Sequence, residues 1–103
     1  MKLIRELSEM IEDEIDGARD YIKMALELKA DHRDLADGLY QISTEELGHI
    51  DRLHEYCVRL IEKYKAEKGE PPATMMAVYE YLHKKHIDRV KEIRVYQNMY
   101  REN

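Results

Sequence analysis

LYQISTEELGHIDRLHEYCVRL, residues 39–60, decides the fold. Its apolar residues Leu39, Ile42, Leu53, Tyr56 and Leu60 recur at steps of three and four, the spacing of a helix that turns one stripe toward a core. In the middle of the stripe, where leucine is expected, stand Glu46 and His49. Toward the N-terminus the stripe extends to Leu35. Further back a second run has the same period: Ile4, Leu7, Ile11, Glu14, Ala18, Tyr21, Ala25, Leu28. It too carries an acid, Glu14, near its centre. Burying a charge costs on the order of several kcal/mol unless it is paired or bound to a metal. No lysine or arginine occupies either stripe, so a metal is the simplest partner for the three.

The rest of the chain fits long helices. Its 103 residues allow one domain, 1–103, with a single core. Charged residues make up 38% of it, and Gly and Pro are scarce, a composition of helices rather than sheet or disordered tail. Helix A is expected over about 3–29, helix B over about 32–68 and helix C over about 74–101. Asp31 is the expected N-cap of helix B; Gly69 and Pro71-Pro72 end it. The short A–B connection makes those helices an antiparallel hairpin.

Composition also excludes functions. The net charge of -5 offers no basic footprint for nucleic acid. No apolar stretch reaches membrane-spanning length and no signal-peptide core opens the chain, so a cytoplasmic protein is expected. One cysteine, Cys57, cannot form an intrachain disulfide or a Cys-rich metal site. All eight aromatic residues are tyrosines, whose hydroxyls predict polar contacts inside or between subunits.

Counting across the turn brings the ionisable residues together. With the turn centred near Ala30, Glu14 lies sixteen residues before it and Glu46 sixteen after. Both therefore stand roughly 24 Å from the turn at about 1.5 Å per residue, facing each other. His49 is three residues beyond Glu46, on the same face. Carboxylates with imidazole suit iron, manganese or zinc. Glu45 points a quarter-turn away and reads as a solvated acid. Tyr56 reads as core packing, His32 and His54 as surface residues, and Cys57 as a small buried residue. A second E-x-x-H, Glu80-Tyr81-Leu82-His83, lies in helix C. The apolar face there (Met75, Tyr79, Leu82, Val90, Ile93, Tyr100) has His86 near its centre, His83 at its border and Glu80 toward solvent.

Glu14 followed by Tyr21, then Glu46-Leu47-Gly48-His49 on the next helix, resembles the ferritin-like superfamily, nearest to rubrerythrin and the short encapsulated ferritins. The resemblance covers helices A and B. It implies an all-α ferritin-like four-helix bundle with a di-iron or di-manganese carboxylate site. It further implies Glu14, Glu46 and His49 as metal ligands and Tyr21 as a nearby hydrogen-bonding residue, together the catalytic set. The chain supplies half of such a site. A homodimer would supply the rest, with two irons per dimer (manganese or zinc as alternatives). The implied activity is ferroxidase, oxidation of Fe(II) by O2 or H2O2 for iron storage or detoxification, in a homodimer or higher oligomer, free in the cytoplasm or inside a protein-shell compartment.

Other readings stay open. A peroxide-scavenging enzyme, rubrerythrin-like or manganese-catalase-like, would use the same ligands. A metal-free helical interaction module would use Glu14 and Glu46 to set dimer register. A site completed within one chain would draw on Glu80, His83 and His86.

Overall fold

The structure is a computed structural model that describes residues 2–102. Three helices make it up: α1 (Lys2–Leu28), α2 (Arg33–Lys68) and α3 (Ala73–Glu102). Each boundary lies within two residues of its sequence expectation. The molecule measures 56 × 18 × 17 Å. The long dimension is that of α2 alone, whose 36 residues span ~54 Å.

Helix ends follow local chemistry, with one difference. The N-cap of α2 is His32, not Asp31, and no side chain caps it. Instead the main chain turns tightly: the His32 amide donates to the Leu28 carbonyl at 2.8 Å, and the Ala36 amide to His32 at 2.9 Å. At the other end Gly69 takes a left-handed φ of 84° and donates its amide to Lys65 at 3.0 Å. That conformation suits glycine, and Pro71-Pro72 prevents the helix from resuming until Ala73.

The buried stripe is rotated from the one read in the sequence. In α1 it runs Ile4, Ser8, Ile11, Ile15, Ala18, Ile22, Ala25. In α2 it is Ala36, Ser43, Leu47, Ile50, Cys57, Ile61. Leu7 and Leu28 are only half-buried, and Tyr21 is exposed. Along α2, Leu35, Ile42 and Tyr56 are exposed as well, so Tyr56 is not core packing. The hairpin therefore has two apolar stripes, side by side. One closes the hairpin on itself and on α3, and the other faces away from α3.

Helix α3 lies across the first stripe and is pinned there by polar contacts. The Ser43 hydroxyl donates to the Ala18 carbonyl at 2.7 Å, and the Gln97 amide donates to Ser43 at 3.0 Å, which ties all three helices at one level. Nearby the Tyr100 hydroxyl donates to Asp37, Lys29 donates to the Tyr100 carbonyl, and the Tyr40 and Tyr100 rings stack at 4.9 Å. Arg89 pairs with Asp16 and holds that carboxyl below the usual range, chiefly by hydrogen bonding. Among the described residues no buried side-chain polar atom lacks a partner. No described helix is long and apolar enough to cross a membrane.

Candidate metal centre

Glu14, Glu46 and His49 meet as the counting across the turn predicts. Each offers one ligand atom, and the three atoms lie within 4.8 Å of one another. His49 Nδ1 is 3.6 Å from Glu14 Oε2 and 3.8 Å from Glu46 Oε2. The backbone explains the convergence: α1 and α2 run antiparallel around the Lys29–His32 turn, and Glu46 and His49 share a face of α2 one turn apart.

The donors sit on the shoulder of the core rather than within it. Side-chain exposure is 19% for Glu46, 32% for Glu14 and 57% for His49. Their seam positions in the sequence are therefore seam positions of the second stripe, the one α3 leaves open. Heptad spacing makes that stripe plain. On α1 it comprises Leu3-Met10-Gly17-Met24 and Leu7-Glu14-Tyr21-Leu28; on α2, Leu35-Ile42-His49-Tyr56 and Leu39-Glu46-Leu53-Leu60. Such a 3,4 repeat is the seam by which helices pack on a neighbour. Leu3, Met10, Tyr21, Met24, Leu35, Ile42 and Tyr56 are all exposed on it.

The donor set suits a transition metal. Ligands to one such ion, at about 2.0–2.2 Å from it, stand no more than ~4.4 Å apart. Small side-chain rotations would close the present spacing to that. Among the described residues neither carboxylate has a lysine or arginine within ion-pair distance; His49 is the one partner of both. Tyr21 is one heptad from Glu14 on the open stripe, and its ring edge lies 3.8 Å from where a Gly17 side chain would begin. No hydrogen bond ties it to the three.

Helix α3 does not join them. Glu80 is exposed, His83 stacks on His54 with ring centroids 3.9 Å apart, and His86 is buried with Nε2 3.4 Å from Glu12 Oε1. Among the described residues Glu14, Glu46 and His49 are the one trio of metal-binding type that converges. His86 is thus a hydrogen-bonded core histidine. His54, expected at the surface, is half-buried under α3; its four-residue spacing from Ile50 was the signal. Compared with protein families, curated proteins and solved structures, the chain matches none.

Proposed function

We propose that the protein is a ferritin-like ferroxidase whose di-iron site is assembled between two copies of the chain, each giving Glu14, Glu46 and His49. The observation that carries this reading is the convergence of two carboxylates and an imidazole, free of basic partners, in the middle of an uncovered apolar heptad seam. A two-fold axis facing that seam would add a second trio and make a four-carboxylate, two-histidine set. The same contact would bury the apolar residues now exposed on both hairpins, completing a four-helix bundle.

The chemistry follows from the donors. Carboxylates favour ferric over ferrous iron, so two Fe(II) substrates held together can deliver two electrons to one O2, which with two protons leaves as H2O2. Glu14 and Glu46 offset the added charge, and each has a second oxygen free to span two cations. His49 would add an imidazole nitrogen to the carboxylate oxygens. Tyr21, on the same stripe, would hydrogen-bond a ligand across the dimer. Whether the product is stored or passed on depends on an enclosing assembly, in the cytoplasm or within a protein shell.

Anaerobic titration of the metal-free protein with Fe(II), with molecular mass followed by light scattering, tests the proposal. One tight Fe(II) per chain in a dimer is the expected result. Two per chain would place the site within a monomer, and no tight binding would leave Glu14 and Glu46 as register-setting acids of a metal-free interaction module. Oxidation of the loaded dimer by O2 separates a ferroxidase from an enzyme that responds to peroxide alone.

A further inference from the structure

Helix α3 is docked unevenly. Three of its four buried residues, Ile93, Gln97 and Tyr100, lie in its second half; residues 73–87 contribute only His86. Two cavities lie along α3, one beside its first half and one across its middle. One, of about 320 Å³, lies between the start of α1 and residues 75–82 of α3. The other, of about 280 Å³, opens between α2 and α3 beside His54, His83 and His86. Between the cavities the docked contact is a flat stack. The His54 and His83 rings are parallel within 2° at 3.9 Å, and the Tyr79 ring lies parallel to both at 6.4 and 5.9 Å. The Tyr79 hydroxyl is 3.4 Å from His54 Nδ1, a contact that a neutral imidazole can accept.

We infer that the His54–His83 stack is an acid-sensitive latch, released by protonation so that residues 73–87 of α3 lift from the hairpin while residues 88–102 stay docked. Two imidazolium rings face to face repel, and the surroundings do little to offset that. From α2, Asp51 faces the same cavity and favours charged His54, but it is exposed; Cys57, also on α2, is neutral. From α1 come Ile11 and Glu12, the latter engaged with His86. From α3 come Tyr79, His86 and the cations Lys91 and Arg94, which add positive charge. Burial first, then His83, holds His54 below the ordinary imidazole range, and burial outweighs Glu12 in doing the same to His86.

The sign follows from linkage. A histidine whose pKa is lowered by docking binds fewer protons docked than released. Docking is thus at full strength above the free imidazole value of about 6.5 and weakens as pH falls below it. His86, lowered like His54, belongs with the part that is released, whereas residues 88–102 are held by carboxylate contacts, Arg89–Asp16 and Tyr100–Asp37, which do not titrate in that window. The latch shares no residue with Glu14, Glu46 and His49, and its action requires no metal.

Hydrogen exchange of the full chain, read by mass spectrometry with chelator present and corrected for intrinsic rates, tests this at pH 7.5 and 5.5. Protection of residues 75–85 should drop, with about tenfold the ceiling for one histidine that stays neutral at pH 5.5, while residues 88–100 keep theirs. The His54→Phe/His83→Phe pair, with flat rings that stack but take no proton, should keep protection at both pH values. Unchanged protection in the wild type, or an equal drop in both halves of α3, would overturn the latch. So would an equal drop in the double variant. Should that variant lose its helicity at pH 7.5, His83→Phe alone removes the repulsion and should give a smaller drop than the wild type; a full drop there overturns the latch too.

Discussion

The two faces of the α1–α2 hairpin are equally apolar in sequence and opposite in fate. On the face beneath α3, every buried side-chain polar atom among the described residues has a partner: Ser43 bonds Ala18 and Gln97, and at its edge Asp37 accepts from Tyr100 and Asp16 from Arg89. On the other face, leucines and methionines lie in water and two carboxylates have a single histidine between them. A finished surface and an unfinished one thus share two helices. The difference teaches where to look for function. The covered face is complete and serves the fold, whereas the open face leaves apolar side chains exposed and its two carboxylates with no partner but His49.

Truncations on the two faces should separate them most sharply. Ile22→Ala removes a fully buried side chain and should cost about 2–5 kcal/mol in urea unfolding. Met24→Ala, two residues on but on the open stripe, should change the stability of the dilute chain by only about 0.5 kcal/mol and weaken self-association instead. Equal losses of stability in the two variants would mean that the faces do not differ.

Next in size is the ligand set. Glu46→Ala should remove tight Fe(II) binding in an anaerobic titration, a loss beyond the ~10–100-fold typical when only a ligand's supporting hydrogen bond is removed. Its helical circular dichroism should match the wild type, because Glu46 makes no contact that the fold needs. Retained binding with unchanged stoichiometry would remove helix α2 from the site. On the covered face the comparable change is Ser43→Ala, which leaves the Gln97 amide buried without an acceptor. It should cost about 1–3 kcal/mol of stability while leaving Fe(II) affinity unchanged.

Helix number, helix ends and the convergence of Glu14 with Glu46 and His49 were legible because each depends on local chemistry or on counting along 1.5 Å steps. The phase of the core was not. Ile4, Ile11, Ala18 and Ala25 belong to the buried stripe, while Leu7, Glu14, Tyr21 and Leu28 belong to its neighbour, and a single 3,4 repeat threads both. Periodicity measures how apolar a face is, and here two adjacent faces qualify. Ser43 and Gln97 escaped notice for a related reason: a small hydroxyl and an amide read as polar surface until the third helix places each against the other. His54 likewise depends on α3, since its partners Tyr79 and His83 are distant in sequence.

The smallest effect, and a distinct check on the covered face, comes from Tyr100 and Asp37 at the docked end of α3. Burial and then the Asp37 carboxylate push the Tyr100 hydroxyl up to about 12. A raised pKa means that the docked chain holds its proton while the unfolded chain gives it up near 10. Stability from this contact should therefore be complete below pH 10 and decline between 10 and about 12. Asp37 is shifted the other way, lowered chiefly by the same hydrogen bond, so its share is present above the free aspartate value of about 3.9 and fades as pH falls below it. Tyr100→Phe keeps the ring that stacks on Tyr40 but loses the hydroxyl. Urea midpoints measured across pH should then flatten on both limbs relative to the wild type. Flattening on one limb alone would mean that the hydroxyl and the carboxylate do not act as a pair, and that the stacked rings, not the hydrogen bond, hold this end of α3 to the hairpin.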